Sequence, residues 1–309
     1  MIFSIDHSNH IYRDSILFID WNLGNFCNYS CSYCPDNLHN GSIGFHKFED
    51  IINFIKHLKE QTTRKLYFHF VGGEPTIYKK LPDLLEYLNN NEIYHQILTN
   101  GSRELDYWIK NKNVFQTINI SFHLEFAKKD HILNLIKSLN DQVYFNLKFL
   151  VVPNRLKECL ELSNFFDRNI DKNLNISLVP LHKKDNVEEL MEYNSNILDI
   201  IGKFSIKKEN TVNHFPPRTK LLLNNLDIVN SRYIKAQNLN KFNGWMCNAG
   251  VEFLQINMNG NMYRGVCGVG GIIGNIKNEI NLPKSMIKCD KDVCSCLNDI
   301  TITKKLIEK

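Results

Sequence analysis

Apolar runs and helix-like stretches alternate along the chain from residue 15 to about residue 181. The run Lys65-Leu-Tyr-Phe-His-Phe-Val71, for example, has the composition of a buried strand. Regular alternation of this kind predicts an α/β fold, in which six consecutive β/α units form a parallel sheet with right-handed crossovers. Functional side chains are then expected at the carboxyl ends of the strands. The predicted strands are residues 15–21, 65–71, 95–100, 117–123, 144–152 and 174–181, and the predicted helices are residues 47–60, 79–91, 103–112, 129–140 and 155–168.

The pattern changes after residue 181. Residues 182–243 carry charged patches and the pair Pro216-Pro217, which predict linking segments, among them a helix over 219–228. Beyond Trp245, alternating apolar runs on both sides of an Asn-Gly pair predict a β-hairpin. The predicted parts are a β/α domain over residues 1–181, a linking region over 182–243 and a small C-terminal module over 244–309.

Composition and charge narrow the functional classes. The 309 residues are 43% hydrophobic, enough for one large domain and one small one. A net charge of +4 without an arginine-rich arm argues against a nucleic-acid partner. The sequence contains no run of about 18 apolar residues, so no membrane span is expected. The N-terminus lacks the basic and then apolar layout of a secretory signal. We therefore expect a cytoplasmic protein. In that reducing compartment its nine cysteines are expected to bind metal and not to form disulfide bonds.

Three of these cysteines, Cys27, Cys31 and Cys34, lie on one short segment directly after the first predicted strand. A 4Fe-4S cluster is normally held by four cysteine thiolates. Three thiolates hold three of its irons and leave the fourth iron open to a ligand from outside the protein. A zinc knuckle is the alternative, but no fourth His or Cys follows with finger-like spacing.

A second motif, Gly72-Gly73-Glu74-Pro75, follows the second predicted strand. With C-x3-C-x2-C after the first strand and G-G-E-P after the second, the chain resembles the radical S-adenosylmethionine (radical SAM) superfamily. The resemblance implies a partial (β/α)6 TIM-like barrel and a 4Fe-4S cluster whose open iron binds S-adenosylmethionine (AdoMet). It also implies that the G-G-E-P backbone and Glu74 receive the amino group of the cofactor, because glycines permit close approach and a carboxylate accepts from an ammonium.

The same resemblance implies further cofactor-binding residues at the strand ends. Asn100, after the third strand, lies where the family forms a wall of the cofactor pocket, although Asn100-Gly101 is also an ordinary turn. Tyr33 takes the place of an aromatic residue near the adenine, with a surface tyrosine as the alternative. Ser121, His123 and Glu125 alternate along the sequence, so all three can face one side of an extended segment. A buried core histidine and a solvated loop position are the alternatives for His123 and Glu125.

The remaining cysteines, except one, are at the C-terminus, where Cys247 and Cys267 bracket the predicted hairpin. Together with the tail cysteines they resemble the Twitch module, the shortened form of the SPASM extension, which holds an auxiliary iron–sulfur cluster, here a second 4Fe-4S cluster. Two or three of the tail cysteines complete that site, and zinc is the alternative metal. Cys159 lies alone in a predicted helix and is expected to be a core residue. The tail cysteines are Cys289, Cys294 and Cys296.

The resemblance implies an enzyme that reductively cleaves AdoMet to a 5'-deoxyadenosyl radical, which abstracts hydrogen from a C–H bond of the substrate. Resembling enzymes act on sugars, aminocyclitols or peptides, and take electrons from a donor such as flavodoxin or ferredoxin. We expect oxidation or bond formation assisted by the auxiliary cluster. The alternative is a radical epimerase, in which a cysteine thiol quenches the substrate radical. No cysteine lies between residues 160 and 246 to serve as that donor. An activase of a glycyl-radical protein and a non-catalytic electron-transfer protein are further alternatives.

Overall fold

The computed structural model describes residues 2–8, 11–186, 189–212, 218, 220–224, 227–278 and 280–307. The chain divides into two compact units. The terminal unit consists of Met1–Gly24, Ile43–His69 and Pro216–Lys309, and the central unit of Asn25–Ser42 and Phe70–Phe215. The predicted three-part division of the chain stays a prediction.

The helices and strands follow the predicted order. The helices are α1 Ile11–Asp14, α2 Phe48–Gln61, α3 Leu81–Asn90, α4 Leu105–Lys110, α5 Lys129–Leu139, α6 Leu156–Asn169, α7 Ser195–Lys203, α8 Ser231–Ala236 and α9 Leu297–Ile300. The strands are β1 Ser4–His7, β2 Ile16–Asn22, β3 Lys65–Val71, β4 Tyr94–Thr99, β5 Thr117–Phe122, β6 Tyr144–Val151, β7 Leu174–Pro180, β8 Ser205–Lys207, β9 Lys220–Leu223, β10 Asp227–Asn230, β11 Met246–Cys247, β12 Phe253–Ile256, β13 Asn261–Tyr263, β14 Ile272–Asn275, β15 Ile287–Lys288 and β16 Lys304–Lys305.

In the central unit, β4, β5, β6 and β7 pair in parallel and in sequence order, and β8 adds an antiparallel edge. Every residue of β5 is buried, as expected for a parallel strand that is covered on both faces. Helix α5 buries one face, whose residues recur at the three- and four-residue spacing of a helix. These residues are Ile132, Leu135, Ile136 and Leu139. The predicted strands and helices of this unit are confirmed to within about two residues at most ends.

The terminal unit contains two groups of strands. In the first group, β12 pairs in parallel with β2 and forms the predicted hairpin with β13, to which β14 adds an antiparallel edge. The Asn259-Gly260 turn is confirmed, with Gly260 at a φ of +80°. The second group forms an antiparallel sheet in the order β10-β9-β1-β16-β11-β15.

The predicted helix over 219–228 is wrong. The described part of that stretch forms the strands β9 and β10, which pair with each other, and β9 also pairs with β1. The apolar side chains of Leu221 and Leu223 are buried, which is the alternation of a strand with one covered face. Pairing with β1, more than 200 positions away in the chain, thus determines the structure here. Pro216-Pro217 lies outside the described residues.

Cys159 lies in α6 with no exposed surface, so its predicted role as a core residue is confirmed. Within the residues that the structure describes, no helix is long and apolar enough to cross a membrane.

Candidate active site

The three clustered cysteines occupy a loop at the beginning of the central unit. Cys31 is buried, whereas Cys27 and Cys34 are partly exposed. The amide of Cys34 donates to the carbonyl of Cys31 at 3.0 Å, which folds the second half of the loop into a turn. Burial raises the pKa of Cys31 to about 12 and that of Cys34 to about 11. The positive charge of Lys184 lowers the pKa of Cys34 in opposition to burial, and a bound metal would add positive charge beside all three thiols.

The G-G-E-P segment is packed directly against the beginning of this loop. The amide of Glu74 donates to the carbonyl of Phe26 at 2.8 Å. Gly73 has a φ of +48°, and a Cβ atom on it would lie 2.2 Å from the same carbonyl oxygen. Only glycine permits this approach. The contact holds Phe26, the residue before Cys27, against the G-G-E-P turn that is predicted to bind the cofactor.

The side chain of Glu74 is buried and fully engaged by the protein. Its Oε1 accepts from the amide and hydroxyl of Thr76, at 3.0 and 2.6 Å, and from the hydroxyl of Thr99 at 2.6 Å. Its Oε2 accepts from the amide of Asn100 at 2.6 Å. Burial raises the pKa of this carboxyl, although the hydrogen bonds oppose the shift. Glu74 thereby joins the turn after β3 to the end of β4, and its predicted contact with AdoMet stays a prediction.

Asn100 connects the end of β4 to the cysteine loop. Its Nδ2 donates to Oδ1 of Asn28 at 2.9 Å and lies 3.9 Å from the sulfur of Cys27. Its Oδ1 accepts from the amide of Ser102 at 2.9 Å, and Gly101 adopts a φ of +70°. The turn role of Gly101 is therefore confirmed, and Asn100 is positioned beside the first cysteine.

His123 and Tyr33 form a contact with the middle of the loop. Nδ1 of His123 lies 2.8 Å from the hydroxyl of Tyr33 and 3.2 Å from the sulfur of Cys31. The two rings are stacked, with centroids 6.0 Å apart. Burial lowers the pKa of His123 to about 4, so the imidazole is neutral at pH 7. Tyr33 is buried, which excludes the alternative of a surface tyrosine.

Glu125 also contacts the loop, although not in the predicted way. Strand β5 ends at Phe122, and a turn in which the amide of Ala127 donates to the carbonyl of His123 follows it. The prediction of one extended segment through Glu125 is therefore wrong. The turn nevertheless brings the Glu125 carboxylate to Ser32, where it accepts from the amide at 2.8 Å and from the hydroxyl.

Ser121 is buried near the end of β5. Pro75 begins a short 3-10 helix and is buried too. The sequence interpretation missed the residues that support the site, because they are common polar types without a motif. They are Asn28, Ser32, Thr76 and Thr99.

A second cysteine site lies in the terminal unit. Four cysteines line one cavity there, together with three charged residues, Asp299, Lys304 and the partly exposed Lys291. The register of β11 and β15 pairs Cys247 with Ile287, so Cys289, two residues further, lies on the same face. Cys296 is not one of the described residues that line this cavity. The four are Cys247, Cys267, Cys289 and Cys294.

Asp299 orders the loop that carries Cys267. Its Oδ1 accepts from the amide of Val266 at 2.9 Å and its Oδ2 from the amide of Cys267 at 2.6 Å. Asp299 and Lys304 belong to no sequence motif and were not among the predicted site residues. Within the described ranges, no three His, Cys, Asp or Glu side chains meet closely enough to hold a single metal ion.

The comparisons with known proteins identify the family. The model of the radical SAM superfamily matches residues 21–194. Because the match covers more than half of the chain, the protein belongs to the radical SAM superfamily. The resemblance read from the two motifs is thereby confirmed, as is the α/β fold class with a parallel sheet. The family implies a 4Fe-4S cluster and AdoMet, and the cysteine loop with its close-packed glycine turn fits both.

Curated relatives match a part of the chain. A stretch of 105 residues is 29% identical to 7,8-dihydro-6-hydroxymethylpterin dimethyltransferase of Methanocaldococcus jannaschii, covering 33% of this chain and 19% of that one. A stretch of 122 residues is 30% identical to the cysteine-type anaerobic sulfatase-maturating enzyme of Clostridium perfringens, covering 35% of this chain and 32% of that one. These matches span less than a third of either relative.

Solved structures share the fold over most of the chain. Native anSMEcpe with bound AdoMet and Cp18Cys peptide is 18% identical, with a TM-score of 0.54 over 85% of this chain and 78% of that one. Streptococcus suis SuiB bound to the precursor peptide SuiA is 16% identical, with a TM-score of 0.53 over 83% of this chain and 61% of that one. At these identities the likeness establishes the fold.

Proposed function

We propose that the protein is a radical SAM enzyme that abstracts hydrogen from a C–H bond of its substrate and completes an oxidation or a bond formation with the help of an auxiliary cluster. The observation that supports this most is the close packing of the G-G-E-P turn against the cysteine loop. In this proposal, Cys27, Cys31 and Cys34 hold a 4Fe-4S cluster with one iron open to AdoMet. When bound, the cluster and AdoMet supply the radical that takes the hydrogen atom.

The protein's own residues then hold the cofactor in position. The backbone of Gly72 and Gly73 receives the amino group of AdoMet, and Glu74 supports that turn through its four hydrogen bonds. Asn100 forms a wall of the pocket beside Cys27. We assign no proton transfer to Glu74 or Asn100, because the side chains of both already make hydrogen bonds within the protein.

The side chains at the end of β5 and on the cysteine loop are proposed both to bind AdoMet and to hold the loop in place. Tyr33 and His123 form a stacked pair beside Cys31 and offer a flat surface of the kind on which an adenine ring packs. Ser121 and Glu125 are proposed to contact the ribose and the methionine carboxylate region. Since Glu125 also accepts two hydrogen bonds from Ser32, it fixes the loop between two of the cysteines.

We propose that a second 4Fe-4S cluster binds in the cavity of the terminal unit. The four cysteines that line it match the four thiolates that such a cluster normally takes. Among the three tail cysteines this assigns Cys289 and Cys294 as ligands and leaves Cys296 as the spare thiol.

A peptide is the substrate class that we favour, over a sugar or an aminocyclitol. The two solved structures compared above, anSMEcpe and SuiB, each contain a bound peptide. A reducing donor such as flavodoxin or ferredoxin supplies electrons in this proposal.

The fate of the substrate radical separates oxidation from epimerisation. We expect the reconstituted protein, with AdoMet, reductant and a pool of synthetic peptides, to yield peptides lighter by two hydrogen atoms, without deuterium when the reaction runs in heavy water. Cys247→Ala should abolish this product while AdoMet cleavage continues, because it removes an auxiliary ligand and leaves the central-unit site unchanged. Mass spectrometry of the peptides and of 5'-deoxyadenosine checks both statements, and an aminocyclitol pool serves as the second substrate class.

A product peptide that has lost no hydrogen atoms but carries one deuterium from the solvent would instead show that an exchangeable thiol quenches the substrate radical. In that case Cys296→Ala or Cys159→Ala should abolish the incorporation, and the oxidation proposal would be rejected.

A further inference from the structure

Lys304 is a lysine buried beside the auxiliary cysteines. Its side chain is 2% exposed. It lies on β16, where it pairs directly with Cys247 on β11, so both side chains lie on the same face of the sheet. Lys304 and Cys247 line the same cavity.

The ammonium of Lys304 is held by backbone oxygens. Its Nζ donates to the carbonyls of Asp299, Ile302 and Ile300, the latter two at 2.9 and 3.5 Å. Three acceptors match the three N–H groups of an ammonium, so the geometry suits the charged form. The ring of Phe242, with its centroid 5.1 Å from Nζ, adds a further favourable contact.

This buried cation lacks an anion at ion-pair distance. Among the described residues, no carboxylate oxygen lies within 4 Å of its Nζ. The carboxylate of Asp299, which also lines the cavity, is engaged by the amides of Val266 and Cys267. A buried charge is costly unless an opposite charge compensates it. The carboxylates of Asp299 and Glu252 act on Lys304 only from beyond ion-pair distance, and the cysteine thiolates that line the same cavity are the other source of negative charge.

We propose that Lys304 is the fixed countercharge of the auxiliary cysteine site and sets the reduction potential of the cluster bound there. The proposal rests on the auxiliary cluster of the proposed function. Four thiolates add negative charge beside Lys304, and each electron that the cluster takes up makes the site more negative. A cation held in a buried position stabilises the reduced form more than the oxidised form, because Coulomb interactions are strong where water is excluded. Lys304 is a positioning residue in this role, since it acts through the cluster.

The test compares charge with hydrogen bonding in the full-length protein. Lys304→Gln keeps N–H donors for the backbone carbonyls but removes the charge, whereas Lys304→Arg keeps both. The neighbouring Lys305 is exposed on the same strand, so Lys305→Gln removes a charge of the same sign outside the cavity. Each variant is placed in a protein that also carries Ala at Cys27, Cys31 and Cys34, so that the auxiliary cluster alone is observed. Iron content and an anaerobic redox titration followed by electron paramagnetic resonance are the readouts.

We expect Lys304→Gln to shift the reduction potential to a lower value, while Lys304→Arg and Lys305→Gln stay close to the parent protein. Loss of auxiliary iron in Lys304→Gln with retention in Lys304→Arg supports the same conclusion, because those two variants differ in charge. Equal potentials and equal iron content in the Gln and Arg variants would overturn the proposal. A parent protein without auxiliary iron would reject the auxiliary cluster itself, which is a separate failure.

Discussion

Replacing Cys27, Cys31 and Cys34 together by Ala is expected to lower the iron content of the reconstituted protein from about eight to about four per chain. The three thiols lie on one loop of the central unit, and the four cysteines of the auxiliary cavity lie in the terminal unit. The substitutions therefore remove one site and leave the other unchanged. Colorimetric iron analysis after anaerobic reconstitution, together with the spectrum of the remaining cluster, checks the result.

Cys159→Ala is the matched control, because this cysteine is buried in α6 and belongs to neither site. Its iron content should equal that of the unaltered protein. About four irons in the unaltered protein, with zinc making up the difference, would contradict the auxiliary cluster. Eight irons in the triple variant would contradict the assignment of the loop cysteines.

Gly73→Ala is expected to weaken AdoMet binding by at least roughly tenfold, because a φ above zero costs an L residue about 1–2 kcal/mol before any clash is counted. The added Cβ would also lie 2.2 Å from the carbonyl oxygen of Phe26, which is backbone and cannot rotate away. Phe26 must then move, and Cys27 follows it in the chain. We therefore expect less iron in the first site as well. An AdoMet titration and an iron count measure the two effects.

Gly44→Ala provides the comparison for this variant. Gly44 is exposed and a Cβ atom there would meet nothing within 4 Å, so its AdoMet affinity and iron content should be unchanged. If Gly73→Ala behaved in the same way, the close packing of the G-G-E-P turn on the loop would not be needed for cofactor binding.

Local sequence patterns were sufficient for the parallel part of the fold. Strand β5 carries an apolar residue at every second position, and helices such as α5 repeat apolar residues at helical spacing, so each is visible within about ten residues. The same is true of the cysteine loop and the G-G-E-P turn, whose spacing is itself the signal.

The antiparallel sheet of the terminal unit could not be predicted in this way. Its strands have two to four residues, too few for a period to show, and they are paired across the chain. β1 pairs with β9 and β16, which follow it by more than 200 residues. Stability in such strands comes from partners that the local sequence does not reveal, which is why residues 219–228 were interpreted as a helix.

The candidate site shows the same limit. The motif residues Cys27 and Glu74 were identified from spacing, but the contacts of Glu125 with Ser32 and of Thr99 with Glu74 were not. Those contacts join residues that are distant in sequence and carry no pattern of their own. The auxiliary ligand set was likewise left open by the sequence, whereas the register of β11 with β15 favours Cys289.

The most direct test of the central claim is whether the reduced, reconstituted protein cleaves AdoMet. We predict that anaerobic incubation with AdoMet and dithionite gives methionine and 5'-deoxyadenosine, measured by chromatography and mass spectrometry. The triple variant of Cys27, Cys31 and Cys34 should give neither product. Absence of 5'-deoxyadenosine from a fully iron-loaded unaltered protein, or its formation by the triple variant at the same rate, would contradict the account.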